Sequence, residues 1–169
     1  LTARWQNYLD CLQQYYQETA ALHACAEVKF TARKDKQGNE DYFEHLQATR
    51  SSDIKAGFTQ LGPHKADFDF KIEGKHIGKI FSRGQIKLFV ILLSISQVKL
   101  LKNERGVTPI FLVDDLTAEL DKKTVDMLLE LLYEERMQLF ITSTDPDEII
   151  KTDIEMTLFH VEQGKVKRC

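Results

Sequence analysis

Apolar residues at the start of the chain recur at spacings of three and four. Trp5, Tyr8, Leu9, Leu12, Tyr15, Tyr16 and Leu22 form the stripe of an amphipathic helix reaching to about Glu27. Such a stripe needs a partner surface. Residues 28–32 suit a short strand, and 34–41, containing Gly38 and Asn39, a polar loop. A second helix is expected from residue 39 or 40 to about Arg50, with Tyr42, Phe43 and Leu46 on its inner side. The period then changes. Over residues 66–72, Phe68, Phe70 and Ile72 alternate with Asp67, Asp69 and Lys71, as in a half-buried strand. Glu73-Gly74-Lys75 reads as a turn into a further extended piece ending at Ile80. Ser82 can cap a long helix from about Arg83 to Asn103, whose centre, 88–95, is apolar nearly all round and predicts burial in a core.

Beyond Gly106 the apolar positions become continuous. Residues 109–113 run from a proline into Asp114-Asp115, as expected of a central parallel strand covered on both faces. A helix from about Asp121 to Glu134 would turn Val125, Leu128, Leu129 and Leu132 inward. Residues 138–142 form a second buried strand, Pro146 can open a short helix, and 156–161 give a final strand. Helices alternating with apolar strands predict an α/β layer with a partly parallel sheet and flanking helices. The division expected is a small, mainly helical lobe at 1–65 and an α/β part at 66–169.

With 169 residues and 43% hydrophobic content the chain can bury one core, or one core plus a small satellite lobe. Its longest apolar run, 88–95, falls short of the roughly 18 to 20 residues that a bilayer helix needs, so no membrane role is expected. Leu1 is neither an initiator methionine nor the start of a basic-then-apolar leader, which is the expectation for a segment of a longer protein. Cys11, Cys25 and Cys169 are odd in number and lack Cys-x-x-Cys spacing, which suits a reduced, cytoplasmic setting. His23 near Cys25 lacks the further ligands of a zinc site. The net charge of -3 gives the whole chain no general attraction for nucleic acid. Lys65, Lys71, Lys75, Lys79, Arg83 and Lys87 outnumber Asp67, Asp69 and Glu73 between them, and a solvated strand face followed by a helix start accounts for that run.

Two stretches bear on phosphate chemistry. Gly57 and Gly62 have the spacing of a phosphate-binding loop, but Pro63 and His64 stand where Lys and Ser or Thr are required, and proline removes a backbone amide from the nest. His64 itself has no base partner and suits a structural place in the Gly-Pro turn. The second stretch is more productive. The 109–113 strand delivers Asp114 and Asp115 at its C-terminal end, where open α/β sheets place ligands. One carboxylate can hold Mg²⁺ through water while its neighbour polarises an attacking water. A strand running into an acidic turn would look the same, so the neighbouring segments decide. Thr117-Ala118-Glu119-Leu120-Asp121 follows, and Phe81-Ser82-Arg83-Gly84-Gln85 precedes, opening the long helix.

These three elements together resemble the signature, Walker B strand and D-loop of the ATP-binding cassette heads. Within that group the chain is most similar to the RecF family, through Ser82-Arg83-Gly84-Gln85 followed by Lys87, through Asp114-Asp115, through Glu119-Leu120-Asp121, and through Gly62-Pro63-His64-Lys65-Ala66-Asp67. Lys65 in place of the usual arginine and Ala118 in place of serine depart from the pattern. Thr144 occupies the place of the switch histidine of many cassette proteins, or is a plain strand-end threonine. The resemblance implies the C-terminal part of an ABC-type ATPase head with a small helical signature lobe. It further implies that Asp114 supports Mg²⁺ and that Asp115 is the catalytic residue acting on water. Ser82, Arg83, Gly84 and Gln85 would contact ATP held by a partner subunit, and Asp121 would lie at the dimer interface. The implied activity is ATP-dependent homodimerisation on gapped duplex DNA with RecR and RecO, to load RecA. ATP hydrolysis would belong to the complete protein and not to this chain alone. The rival resemblance is a chromosome-structural head of the SMC type, disfavoured by the glycine-broken region before Phe81.

Overall fold

The computed structural model describes residues 2–22, 25–33, 42–60, 67–150 and 155–169. The expected 34–41 loop, His23, and the stretch from Gly62 to Ala66 lie outside them. The chain divides into two compact units, Leu1–Arg105 and Gly106–Cys169.

In the first unit, helix α1 (Thr2–Leu22) is followed by strand β1 (Lys29–Arg33), helix α2 (Tyr42–Ala56), strands β2 (Asp67–Ile72) and β3 (Lys75–His76), and helix α3 (Arg83–Arg105). The three strands form an antiparallel sheet in the order β1-β2-β3, with Phe30 opposite Phe70 and Ile72 opposite Lys75. The two-residue loop between β2 and β3 places both Glu73 (φ 49°) and Gly74 (φ 79°) in the left-handed region. That is the backbone of a tight hairpin whose twist matches its strands, and glycine supplies one of the two positions without cost.

The core of this unit joins α1, α3 and the sheet. Leu9, Leu12, Tyr16 and Ala20 of α1 are buried, as are Phe89, Leu92, Ile95 and Val98 of α3. Tyr16, Phe30, Phe70 and Phe89 stack tilted or edge-on at centroid separations of 5.1–5.4 Å in four of their pairs. Phe70 of β2 reaches this cluster, while Lys71 pairs with Asp69 at 2.9 Å; burial does not alternate along the strand, since residues 68–72 are all part-buried. Polar groups at the helix seam are matched, with Lys99 Nζ donating to Thr19 Oγ1 (3.1 Å), Gln97 Nε2 to Tyr8 Oη (3.1 Å) and Asn103 Nδ2 to Tyr15 Oη (3.0 Å). Burial pushes the Tyr16 phenol well up, with Cys25 nearby adding to it, and its hydroxyl donates to the Ala26 carbonyl.

Several expectations need correction. Beside the expected division at 65/66, β1 pairs with residues 67–71 of β2, and the two compact units are Leu1–Arg105 and Gly106–Cys169. The piece after Lys75 is extended for only two residues, then forms a 3-10 turn at Ile77–Lys79 capped by His76, whose Nδ1 accepts from the Gly78 N–H. Phe43 is not inward: it is 64% exposed, on a helix otherwise rich in polar residues. Helix α3 is not buried all round either, since Val90 is 50% exposed. By length and composition alone α3 could cross a membrane, yet its hydrogen bonds to α1 are those of a helix packed within a protein.

The second unit is built from strand β4 (Phe111–Val113), helix α4 (Lys122–Glu134), strand β5 (Leu139–Ile141) and a hairpin of β6 (Phe159–Glu162) with β7 (Lys165–Arg168). Strands β4 and β5 are parallel, with α4 as their crossover and Val113 opposite Ile141. Helix α4 buries Val125, Leu128, Leu129, Leu131 and Leu132. A mixed helix and strand fold with a parallel sheet is therefore present. However, β4 is not covered on both faces, since Leu112 is 75% exposed while Val113 is buried, and β5 is not the buried strand expected, since Phe140 is 51% exposed. The final strand expected at 156–161 starts later and pairs antiparallel with β7, through a left-handed Gln163-Gly164 turn.

Candidate functional site

The sequence-marked residues fall on both units. Ser82, Arg83, Gly84 and Gln85 belong to the first, at the entry to α3. There the Ser82 N–H donates to Gln85 Oε1 (2.8 Å) and the Gln85 N–H donates to Ser82 Oγ (3.2 Å). This is a reciprocal capping box, which satisfies two of the orphan amides of a helix start. It arises because serine stands three residues before glutamine just after a turn in which the Ile77 carbonyl accepts from the Ile80 N–H (3.0 Å) and the Phe81 N–H (2.8 Å). The Ser82 hydroxyl serves the box as acceptor only. A hydroxyl has one donor and two acceptor places, and among the described residues no hydrogen bond given by the Ser82 hydroxyl is seen.

Asp114, Asp115 and Asp121 belong to the second unit. Asp114 and Asp115 lie immediately past β4, both exposed. Asp115 has φ 49°, so the chain turns sharply between the strand and the following loop. Thr142, one residue past β5, holds that turn. Its backbone N–H donates to the Val113 carbonyl (3.0 Å), its carbonyl accepts from the Leu116 N–H (3.1 Å), and its Oγ1 accepts from the Asp115 N–H (2.8 Å). Its hydroxyl donates to Asp114 Oδ1 at 2.5 Å. Beside it, the Thr117 and Ser143 hydroxyls are 3.0 Å apart, and Ser143 Oγ donates to the Asp145 carbonyl.

Asp121 is the N-cap of α4, accepting from the Thr124 N–H at 2.8 Å. That backbone hydrogen bond, with the Thr124 hydroxyl and Lys123 adding to it, holds its carboxyl below the usual carboxylate range. Thr144 is exposed beyond β5, and His64 lies outside the described residues. Thr142 is the residue that sequence reading passed over as a strand end. The signal that finds it is the parallel register, since pairing Val113 with Ile141 sets residue 142 beside residue 114.

Among the described residues no group of three His, Cys, Asp or Glu could enclose a metal ion. Asp114 nonetheless fits Mg²⁺, which takes one or two carboxylates together with water and substrate phosphate in preference to an all-protein cage.

Residues 7–167 match the model of the RecF/RecN/SMC N terminal domain family. The chain is 42% identical over 123 residues to the DNA replication and repair protein RecF of Coxiella burnetii (strain Dugway 5J108-111), covering 73% of this chain and 34% of that protein. It is 39% identical over 142 residues to the protein of the same name from Shewanella frigidimarina (strain NCIMB 400), covering 83% and 39%. Among solved structures it is similar to the recombination mediator protein RecF-ATP in the RecFOR pathway, with a TM-score of 0.68 and 23% identity, over 97% of this chain and 45% of that one. The chain thus spans between a third and a half of the length of the proteins it matches, and the last likeness speaks to the fold.

Proposed function

The chain belongs to the RecF/RecN/SMC N terminal domain family, and from that premise we propose that it is the C-terminal part of a RecF-like ATPase head that acts in DNA replication and repair. The whole protein would bind ATP between two copies of itself, close as a dimer on gapped duplex DNA, and work with RecR and RecO to load RecA. Its setting would be cytoplasmic.

The observation that supports this reading most is the Asp114-Asp115 turn at the end of a parallel strand, tied by Thr142, in a chain whose other unit opens α3 with Ser82-Arg83-Gly84-Gln85. Two adjacent carboxylates with different backbone geometry can do different work. Asp114 would hold the cation that neutralises the phosphate oxygens when nucleotide is bound. Asp115 would orient or deprotonate the attacking water. Ser82 would give its free proton to a phosphate oxygen of the nucleotide on the partner copy, with the amides of the helix start aimed the same way and Arg83 adding charge. Asp121, as the cap of α4, would fix the loop that follows the carboxylates and meets the dimer seam.

Chemistry of this kind also needs a loop of amides and a lysine to cradle the phosphates, and this sequence has no such motif: its only glycine pair at that spacing is followed by Pro63 and His64. The 169 residues are therefore expected to be silent alone. Turnover is to be compared between this chain and the full-length protein that carries it, with ATP and Mg²⁺. Hydrolysis by the full-length protein only is the expected result; measurable turnover by the 169 residues would overturn the reading.

A further inference from the structure

Thr142 makes four hydrogen bonds to the segment from Val113 to Leu116, two through its backbone and two through one hydroxyl. Any residue at the end of β5 could make the backbone pair. The hydroxyl pair is specific to the side chain: Oγ1 takes the Asp115 N–H and gives its only proton to Asp114 Oδ1. Asp115 meanwhile sits at φ 49°, in the left-handed region that aspartate enters more readily than most non-glycine residues but still against the preference of an L side chain. Such a conformation persists only where surrounding contacts over-determine it. The Asp115 N–H bond to Thr142 is one such contact.

We propose that Thr142 is a positioning residue for the two carboxylates, a role that rests on Asp114 holding the cation and Asp115 acting on water. By donating to Oδ1 it fixes the rotamer of Asp114 and leaves Oδ2 as the oxygen for the cation. By accepting from Asp115 it holds the turn that separates the two side chains. Groups that hydrogen-bond a metal-holding carboxylate set its orientation, and losing one typically costs about 10–100-fold in metal affinity or activity. Valine at 142 keeps the branched shape and loses both bonds; serine keeps the hydroxyl.

The test uses the full-length protein. The Mg²⁺ concentration that half-saturates ATP-driven dimerisation is read by sedimentation velocity, beside ATP binding without Mg²⁺ and a thermal melt. For Thr142→Val the half-saturating Mg²⁺ should rise about 10–100-fold, with metal-free ATP binding unchanged, and Thr142→Ser should recover most of the loss. A Thr142→Val protein with the wild-type Mg²⁺ requirement overturns the role. So does an equal loss in the valine and serine variants that follows their melting temperatures, because shape and not the hydroxyl would then matter. If the valine variant does not fold, Thr142→Cys, with its weak donor, is read in its place: a raised Mg²⁺ requirement supports the role and a wild-type one overturns it. A wild-type protein that neither binds ATP nor dimerises overturns the assignment of Asp114 and Asp115, and the Thr142 role with it.

Discussion

Replacing Ser82 separates the two tasks of its side chain. As acceptor in the capping box it stabilises the start of α3, and losing a serine cap to alanine costs about 1 kcal/mol, whereas glycine costs only a few tenths. As donor to a phosphate it would make a hydrogen bond to a charged acceptor, worth about 1.5–3 kcal/mol. A two-fold dimer contains two such bonds, so about 3–6 kcal/mol is at stake, which is roughly a hundred- to ten-thousand-fold in the dimer dissociation constant. Ser82→Gly should therefore leave stability near wild type while weakening ATP-dependent dimerisation steeply, and Ser82→Ala should weaken both. Urea unfolding reports the first quantity, and sedimentation of the full-length protein with a slowly hydrolysed ATP analogue the second. If the glycine variant dimerises like wild type, Ser82 is only a cap and the reasoning fails.

Other consequences follow from the packing and the caps. Phe89→Ala removes the ring that meets Tyr16, Phe70 and Phe81 and should destabilise the first unit by about 3–5 kcal/mol; a urea midpoint close to wild type would refute the aromatic core. The Asp121 carboxyl is held below its ordinary range in the folded state, so its stabilising effect is full above that range and is lost as pH falls through its folded-state value. Asp121→Asn keeps a capping acceptor without the titration, so its stability should fall less than wild type on acidification, and matching pH profiles would count against the cap. Leu112→Lys should change the stability of the 169-residue chain by no more than about 0.5 kcal/mol, because the side chain is exposed there. A loss of several kcal/mol in urea unfolding would argue that Leu112 is packed and not exposed.

How far the sequence carried can be judged from individual residues. The three-and-four spacing of Leu9, Leu12 and Tyr16 and the alternation of Phe68, Phe70 and Ile72 follow directly from helix and strand geometry, and both elements form, although the helix ends at Leu22 and not near Glu27, with residues 25–28 already outside it. Ser82 as the cap of a long helix is a local signal and also holds, with Gln85 completing the box. Local pattern fails where tertiary context decides. Phe43 reads as inward but lies on a helix whose neighbours in sequence are mostly polar. The continuous run ending at Val113 reads as covered on both faces, yet Leu112 is open while Val113 is buried, because an apolar run alone does not say which of its faces meets a neighbour. The β6 and β7 hairpin was only half visible, since its strands are four residues each and mix valine with charge, and Gln163 is not a residue that announces a left-handed turn. At the candidate site the carboxylates were legible as a motif. Thr142 was not, because its partners are 27 and 28 positions away and only the parallel register brings them together.

The claim on which everything else depends is that the helix start at Ser82 completes a nucleotide site on a second copy. Sedimentation of the full-length protein with Mg²⁺ and ATP, wild type beside Ser82→Arg, addresses it most directly. Wild type is expected to double its mass on adding ATP, while the arginine variant, folded and still binding ATP, remains single. An arginine variant that dimerises as wild type does would contradict it.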